Sequence, residues 1–394
     1  MERKGYIMAK GLNIDSLKRI NRGLVFQLLA TQESCSRIDL AKSSKLTKMA
    51  ISNIINEFLE TGLVTEYSEI GRGTRSNPIQ LALAPTAPKV LGVLIHRRSC
   101  EATVCDFSMK IVASKAIALP KYYTADELMD YVFVMTDELV TKYQDIVGIG
   151  IGSIGPVDAL RGMILNPPHF NRIQNLNIRD RFITHYSLPT FLDHHYNCAA
   201  LAESYYGNGK GCGNLMYLGM TYGVGLGAIC GGKLFSSHNG YSSEIGHVTI
   251  DCNGPVCGCG KRGCLSLYAR PPKIVQEVAN SPLIGREMSF QEICDSSDQP
   301  AIDQIIMNYM ITPLVYALSS AINLMNSDLI LLGDDAALLP DRYLGYLEQR
   351  LNEIIFTHDY HHVSVRRAML PKEYNAAMCA STVIDQVFRG KLLF

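Results

Sequence analysis

The sequence predicts an α/β protein that carries a small helical domain at its N-terminus. From Val90 onward, short apolar runs alternate with segments of helical periodicity, a pattern typical of sheets covered by helices. Earlier in the chain, three helical segments precede two strand-like segments that flank a Gly- and Arg-rich turn, and these are the dimensions of a winged helix. Two prolines between Ala84 and Pro88 mark the boundary. We therefore expect a winged helix-turn-helix domain over residues 1–84 and an α/β domain over residues 85–394.

Each element of the N-terminal domain has a local signal. The segment LKRINRGLVFQLLA has leucines and an isoleucine at helical spacing. Ser36 is the predicted N-cap of the short helix RIDLAKSS, and Thr47 is that of KMAISNIINEFLETG, which Gly62 ends. LVTEYSEI and PIQLALA predict a two-stranded hairpin with GRGTRSN at its tip.

In the larger domain, apolar runs that predict strands alternate with segments of helical spacing. KVLGVLIHRRSCEATVCDF and KIVASKAIAL predict consecutive strands, and TADELMDYVFVMTDELVTKY predicts a helix. DIVGIGIGSIGPVD indicates a buried strand that enters a glycine loop, and LPTFLDHHYNCAALAESYYG a strand that runs into a helix. NLMYLGMTYGVGLGAICGGKLF is typical of a glycine-rich hairpin. A long helix is expected over residues 300–326, followed by the strand DLILLG.

Composition narrows the class of protein. Apolar residues make up 47% and charged residues 19%, which is typical of soluble globular proteins. The most apolar late stretch, Ile311 to Met325, contains serines and an asparagine, and the N-terminus has no apolar signal core. We therefore expect a cytoplasmic protein without membrane association.

Residues 1–84 hold 12 Lys/Arg against 8 Asp/Glu, whereas the rest of the chain is slightly acidic. A basic small domain on an acidic body is compatible with a DNA-binding head.

The third predicted helix has the side chains of a DNA-recognition helix. Its first turns enter the major groove in winged helices and offer donors, an acceptor and an apolar contact to base edges. The predicted base-reading residues are Lys48, Met49, Ser52 and Asn53, and Thr47 at the start of the same helix is a further predicted DNA contact. Lys45, Arg72 and Arg75 are predicted to lie toward phosphates, or in the minor groove if the wing reaches it. The alternative is a three-helix interaction module with a solvated polar face.

Four cysteines lie close together in the sequence. Cys257, Cys259 and Cys264 share a glycine-punctuated loop, and His247 lies just upstream. Three thiolates and one imidazole form a tetrahedral structural zinc set with no open position for water. We therefore predict a structural Zn²⁺ site over residues 247–264. A redox-active or incidental thiol cluster is the alternative, and Cys252 is a second-choice ligand.

These motifs resemble a known family. GPVCGCGKRGCLSLY together with EIGH resembles the signature of the ROK family, which contains bacterial sugar kinases and sugar-responsive transcriptional regulators. SRIDLAKSSKLTKMAISNIINEFLETGLV is similar to the DNA-binding domain of the regulators. The resemblance implies a body of two ribonuclease-H-like (actin/hexokinase-type) lobes with a sugar cleft between them.

The segments that match the kinase machinery depart from the family pattern. Leu94 stands at the position of the phosphate-turn Asp, and His194 and His195 replace an Asn-Asp pair whose Asp is the general base. Tyr222 replaces a Thr, and a double glycine has become Gly333-Asp334. The resemblance therefore implies a degenerate kinase that has lost phosphoryl transfer.

Part of the implied sugar site remains. Glu244 and His247 stand where the family binds sugar hydroxyls, and Asn166 resembles a further contact, whereas Ser266 replaces a Glu. His194 and His195 are also candidate ligand contacts, with a histidine pair packed between the lobes as the alternative. The matching segments also gain cationic or donor side chains, which favour an anionic ligand if they face the cleft. These side chains are His96, Arg97, Arg98, His194 and His195.

These observations predict a transcriptional repressor of carbohydrate-utilisation genes. It would bind a double-stranded DNA operator as a homodimer or homotetramer, and a sugar or sugar phosphate would relieve repression. Two alternatives stay open: an active sugar kinase with a DNA-binding head, and a regulator controlled by a partner protein.

Overall fold

The N-terminal domain is a three-helix unit with a two-stranded sheet. The computed structural model describes residues 13–32, 34–68, 79–235 and 240–392. The helices are α1 (Ile14–Ala30), α2 (Arg37–Ser44) and α3 (Lys48–Glu60), and the antiparallel strands are β1 (Val64–Tyr67) and β2 (Gln80–Leu83). Arg72 and Arg75 lie outside the described residues.

Side-chain caps set the starts of these helices. Ser36 and Asp39 form a reciprocal capping box at α2, and the Thr47 hydroxyl accepts from the Ala50 N–H at α3. Both predicted N-caps are confirmed. Helix α1 begins earlier than its apolar pattern indicated, because Asn13 caps it by accepting from the Ser16 N–H at 2.8 Å.

The first lobe contains a five-stranded sheet in the order β10-β6-β3-β4-β5. Its strands are β3 (Lys89–Ile95), β4 (Ser99–Cys105), β5 (Ile111–Ala118), β6 (Ile146–Ser153) and β10 (Thr190–His194). Three short strands lie between β6 and β10 in the chain and form a separate sheet: β7 (Val157–Asp158), β8 (Met163–Ile164) and β9 (Leu176–Asn177). Its helices are α4 (Ala125–Lys142), α5 (Ile178–Tyr186) and α6 (His195–Tyr206). The first predicted strand segment is in fact the β3–β4 hairpin, which turns at residues 96–98.

The second lobe repeats this topology. Its sheet has the order β13-β12-β11-β14-β15, built from β11 (Leu215–Met220), β12 (Val224–Cys230), β13 (Lys233–Leu234), β14 (Leu329–Asp334) and β15 (Ser364–Arg367). In both sheets the first strand in the chain pairs antiparallel with the second and parallel with the fourth. The helices are α7 (Pro271–Asn280), α8 (Phe290–Asp295), α9 (Pro300–Ile306), α10 (Thr312–Met325), α11 (Asp341–Ile354) and α12 (Asn375–Phe388).

The predicted long helix over residues 300–326 is continuous but contains a π-helical segment. Helix α9 passes into a π-turn at Met307–Ile311 and then into α10. Pro300–Met325 is long and apolar enough to cross a membrane by length and composition, yet 56% of its most apolar window is buried inside the protein. Ile302, Ile306, Leu314 and Leu318 belong to the core of the second lobe. We therefore assign it as a core helix.

Helices α6 and α12 join the two lobes and the N-terminal domain. Helix α12 packs on β3 and β6 of the first sheet, and α6 packs on β11 and β12 of the second as well as on α12. The C-terminal end of α12 also contacts α1. There, Arg19 Nε donates to Gly390 O at 3.1 Å, and the Phe26 and Phe388 rings meet edge to face.

Candidate functional site

A cavity of about 410 Å³ lies where strands of both lobes end. Its walls come from the β3–β4 turn, the segment after β6, the start of α6, the β11–β12 turn and the segment that carries Glu244 and His247. Carboxyl ends of parallel strands are the usual ligand sites of α/β proteins. We call this cavity the cleft.

The structure brings four of the five predicted ligand contacts to the cleft. His194, His195, Glu244 and His247 line it. Asn166 is exposed and is not among the described lining residues. Asn166 follows β8 by two residues, in the segment between β8 and β9, and it is exposed there.

Hydrogen bonds set the tautomers of the two adjacent histidines. His194 Nδ1 accepts from the Tyr196 backbone N–H at 3.2 Å, so this nitrogen carries no proton. His195 Nδ1 lies 3.1 Å from Ser153 O, which can only accept, so this nitrogen carries the proton. In their neutral forms, His194 therefore has a donor at Nε2 and His195 has an acceptor there.

Burial keeps the cleft histidines neutral. It lowers the pKa of His96 to about 4 and that of His194 to about 4, and it lowers the pKa of His195 as well. At neutral pH these rings are therefore hydrogen-bonding groups, so among the cationic or donor side chains expected at these positions the histidines are not cations. The Glu244 carboxyl reaches the solvent of the cleft, but the surrounding walls still desolvate it and raise its pKa to about 7.

The two arginines of the β3–β4 turn do line the cleft. Arg97 is half-buried, and its Nε donates to Pro168 O at 2.9 Å. Arg98 is exposed and donates to the backbone carbonyls of Pro120 and Lys121. Arg97 is therefore the better placed cation for an anionic group in the cleft.

Tyr196 is a cleft residue that the sequence analysis did not single out. Its ring lies against the β11–β12 hairpin, where a Cβ on Gly219 or Gly225 would come within 1.9 or 2.3 Å of ring carbons. Burial raises the pKa of the Tyr196 hydroxyl, and the nearby Asp334 carboxylate raises it further; burial likewise raises the pKa of the Asp334 carboxyl to about 6. Glycine in the hairpin and a bulky residue at the start of α6 were the available signals, but they lie far apart in the chain.

Aromatic rings form a column from the cleft into the second lobe. The His96 and His195 centroids are 5.5 Å apart, those of His195 and Tyr196 are 3.9 Å apart, and those of Tyr196 and Tyr217 are 6.1 Å apart. Because His96 follows β3 and Tyr217 lies in β11, this column connects the two sheets. The position of one lobe relative to the other is therefore coupled to the rings at the start of α6.

Leu94 lies outside the cleft. Its side chain is buried in a small cluster with Cys198, Ala376 and Cys379, between β3, α6 and α12. The position that the resemblance gives to a magnesium-organising carboxylate is thus an apolar packing position.

The predicted metal ligands converge. The ligand atoms of His247, Cys257, Cys259 and Cys264 all lie within 4.8 Å of one another. Cys259 Sγ and Cys264 Sγ are 3.6 Å apart, as are Cys257 Sγ and His247 Nδ1. Tetrahedral zinc with bonds of about 2.3 Å separates its sulfur ligands by about 3.7 Å, so this donor set fits the ion. Cys252 is exposed and is not part of the set.

Glycine geometry allows this convergence. Gly263 has φ +59°, and a Cβ there would lie 1.7 Å from Asp251 O. Gly260 has φ +91° and donates its N–H to Cys257 O at 2.9 Å. Both positions are strained for any residue with a side chain, which explains the glycine punctuation of the loop.

Helix α3 presents the predicted DNA-reading residues on one side. Lys48 and Asn53 are exposed, Met49 is 76% exposed and Ser52 is half-buried, whereas the opposite face of α3 is in the core. Lys45 ends α2 in the left-handed conformation and is exposed. Thr47 has its hydroxyl oxygen occupied as the cap of α3.

Comparison with known proteins gives a consistent result. The ROK family profile matches residues 90–385. A putative xylose repressor from Caldicellulosiruptor sp. (strain Rt8B.4) is 25% identical over 94% of this chain and 97% of its own length. The DNA-binding transcriptional dual regulator NagC from Escherichia coli (strain K12) is 26% identical over 83% of this chain and 84% of its own length.

Solved structures extend the comparison. The crystal structure of a ROK family transcriptional regulator, a homolog of the E. coli MLC protein, superimposes with a TM-score of 0.81 at 24% identity, covering 96% of this chain and 98% of that one. The ROK hexokinase from Thermus thermophilus superimposes with a TM-score of 0.64 at 24% identity, covering 75% of this chain and 97% of the hexokinase.

Proposed function

Because the chain belongs to the ROK family, we propose that it is a DNA-binding transcriptional repressor controlled by a sugar or sugar phosphate. The observation that carries this proposal is the extent of the matches. Two relatives named as transcriptional regulators match 94% and 83% of this chain, whereas the hexokinase structure covers 75%. The target genes would be those of carbohydrate use, because relatives are named xylose repressor and N-acetylglucosamine repressor.

The exposed side of α3 is the proposed DNA-reading surface. Lys48 and Asn53 are free to reach base edges, and Met49 offers an apolar contact to a thymine methyl group. Lys45, at the end of α2, would lie toward phosphate, as would Arg72 and Arg75, which lie between β1 and β2 in the sequence. One recognition helix per chain favours an inverted repeat bound by a homodimer or homotetramer.

The cleft is the proposed effector site. Glu244 and the neutral His194 and His195 provide acceptors and a donor, which suit the vicinal hydroxyls of a sugar. Arg97 adds a cation that would pair with a phosphate group. A hydrogen-bonding pocket of this kind discriminates between ligands, because a ligand that lacks the matching groups leaves the buried polar groups of the pocket without hydrogen-bond partners.

Zinc would be structural in this protein. His247 Nδ1 and the three cysteine thiolates would complete a tetrahedron of ligands around Zn²⁺, which would leave no position for water or substrate. Its role would be to hold the 257–264 loop against the segment that carries Glu244 and His247. With Nδ1 on the ion, the Nε2–H of His247 is the donor left for a ligand in the cleft.

We further propose that phosphoryl transfer is lost. Leu94 is an apolar core residue, and the ring of Tyr196 occupies the face of the β11–β12 hairpin whose glycines would otherwise allow phosphate to approach the backbone. His195 keeps an acceptor nitrogen, but no carboxylate stands at the corresponding positions to organise a magnesium ion.

Genomic footprinting followed by fluorescence anisotropy on the recovered site tests the function. Lys48→Ala and Asn53→Ala should each weaken specific binding by about 10-fold or more while nonspecific binding changes little. Lys142→Ala, on the exposed end of α4, is the matched control. Xylose, N-acetylglucosamine and their phosphates are the first effectors to add. If the parent protein selects no sites, or if both α3 variants footprint like the parent, the proposal fails.

A further inference from the structure

Arg97 is a half-buried cation that has no counter-ion among the described residues. Its Nε donates to Pro168 O at 2.9 Å, and this bond orients the guanidinium. Within the described ranges, no hydrogen bond or ion pair involves the terminal nitrogens Nη1 and Nη2, and the side chain lines the cleft. A guanidinium has five N–H donors, so four of them are open to a ligand.

The groups around Arg97 do not neutralise its charge. Burial lowers the pKa of the guanidinium, and the ionisable groups that act in the opposite direction are the phenols of Tyr196, Tyr123 and Tyr222. Phenols are uncharged at neutral pH. It is costly to take an unpaired cation out of water, and buried arginines are normally paired with an anion for this reason. An anion delivered by a ligand would remove that cost.

Glu244 does not provide this anion. It is the only carboxylate among the described lining residues of the cleft, and no ion pair joins it to Arg97. A Cβ on Gly155 would lie 2.7 Å from His194 Cδ2 and 3.1 Å from Glu244 Oε1, so Glu244 lies beside His194. Burial raises the pKa of Glu244 to about 7, and no neighbouring cation opposes this effect. Glu244 and Arg97 therefore occupy different parts of the cleft.

Two neighbours make Arg97 the anion-binding group of its part of the cleft. Arg98 follows it in the β3–β4 turn, but the Arg98 guanidinium already donates to the carbonyls of Pro120 and Lys121. Tyr222 lies in the β11–β12 turn, lines the cleft and is 71% exposed, so its hydroxyl can act as a further donor. Because Arg97 belongs to the first lobe and Tyr222 to the second, an anion bound by both would bridge the lobes.

We propose that Arg97 determines the ligand class of the cleft: the ligand is an acidic sugar, with hydroxyls at Glu244 and His194 and with a phosphate or carboxylate group between Arg97 and Tyr222. This inference rests on the proposed function, in which the cleft holds a sugar effector. Nη1 and Nη2 form a planar fork that matches two oxygens of a phosphate or a carboxylate. A neutral sugar leaves this fork unpaired.

The proposed ligand class places the effector after a chemical conversion of the sugar. A charged sugar is supplied by a reaction that transfers a phosphoryl group to a hydroxyl, or by one that oxidises a terminal carbon to a carboxylate. The protein would then respond to a sugar that has passed its first conversion and not to the free sugar.

Calorimetry of the full-length protein with matched ligands tests the requirement for charge. The series are xylose, xylose 5-phosphate and xylonate; glucose, glucose 6-phosphate and glucuronate; and N-acetylglucosamine with its 6-phosphate. The charged member of at least one series should bind about 10-fold to 100-fold more tightly than the neutral member, as expected for charge-assisted hydrogen bonds. A preference for the phosphate or for the carboxylate identifies the anionic group.

Substitutions of Arg97 assign the preference to its side chain. Arg97→Gln should reduce the preference for the charged sugar to less than about 3-fold, and Arg97→Lys should keep part of it because the charge remains while the fork is lost. Arg366→Gln is the matched control, since Arg366 is exposed in β15 and does not line the cleft. Circular dichroism and zinc content establish that the variants remain folded.

Inorganic phosphate tests the anion position without any choice of sugar. It should raise the thermal unfolding temperature of the parent protein and of Arg366→Gln more than that of Arg97→Gln, because a bound ligand stabilises the folded state. Phosphate bound by the DNA-binding domain would affect all three proteins alike. Equal rises in the three proteins, or a neutral sugar that binds as tightly as its charged counterparts, would overturn the proposal.

DNA-binding assays separate this inference from the proposed function. A charged sugar that binds through Arg97 without changing the affinity for DNA would retain the ligand class and refute control of DNA binding by the cleft. A neutral sugar that binds independently of Arg97 and releases the DNA would retain the proposed function and refute the role of Arg97.

Discussion

Gly23 provides a sensitive test of how the DNA-binding domain is attached to the body. It lies inside α1, where Gly→Ala normally stabilises a helix by about 1 kcal/mol. A Cβ at this position would lie 2.4 Å from Phe388 O and 2.8 Å from both Gly390 N and Val387 O. These are backbone atoms, so they cannot move aside as a side chain could.

The expected effect of Gly23→Ala is a loss of stability. Relief of the contact requires α1 to move away from the end of α12 by about 1 Å, which is enough to forfeit a quarter to a half of the dispersion energy at the affected contacts. Overpacking of this kind costs about 1–3 kcal/mol, which exceeds the gain in helix propensity. The variant should therefore be about 1 kcal/mol less stable than the parent.

Gly345→Ala is the matched control. Gly345 also lies inside a helix, α11, and a Cβ there would meet no atom within 4 Å. This variant should gain about 1 kcal/mol. Scanning calorimetry at one protein concentration measures both, and limited proteolysis near residues 84–88 reports release of the N-terminal domain. Equal shifts of the same sign for the two variants would refute the close docking of α1 on α12.

Three further predictions concern the cleft and the metal site. Cys259→Ser should lose most of the zinc by metal analysis, whereas Cys252→Ser should keep one ion per chain; the reverse result would reassign the ligand set. Glu244→Gln should weaken sugar binding by about 10-fold or more in calorimetry. Measurable ATP-dependent phosphorylation by the parent protein would contradict the proposed loss of kinase activity. The unfolded chain takes up a proton at His194 between pH 6.5 and about 4 that the folded chain does not, so this residue makes stability fall as the pH falls through that window. His194→Asn, which keeps a good N-cap, should therefore show a shallower loss of thermal stability from pH 6.5 to 4 than the parent protein, and an unchanged slope would exclude the buried neutral imidazole.

What the sequence could predict depends on how local the determining contacts are. The caps at Ser36 and Thr47 depend on atoms within one helical turn, and the Cys257–Cys264 loop needs glycines inside the same segment. Such features can be inferred from a few adjacent residues. The exposure of Asn166 could not, because the side of a loop that faces solvent depends on contacts with segments that are distant in the sequence.

The role of Tyr196 shows the same limitation more clearly. In the sequence it is one residue of a helix start, and Gly219 and Gly225 are glycines of a hairpin. Their relation exists only when α6 lies on the second sheet, which brings the ring against both glycines. The sequence could not decide for the same reason whether the histidines are cations or neutral hydrogen-bonding groups, because desolvation by distant segments lowers the pKa of His194.

Helix α6 connects the cleft with the DNA-binding domain through packed structure. His194 and His195 stand at its start in the cleft, and its length packs along α12, whose last turn holds α1. A sugar that drew the lobes together would change the ring column at His195, and the central helices would follow as units because their interface is buried. Coupling of this kind requires that both sites bias one element with two arrangements, and the α6–α12 pair is the element that contacts both. Gly23→Ala should therefore leave sugar affinity unchanged while it reduces the effect of sugar on DNA binding, which anisotropy titrations with and without sugar measure. A variant that keeps the full sugar response would place the coupling outside α6 and α12.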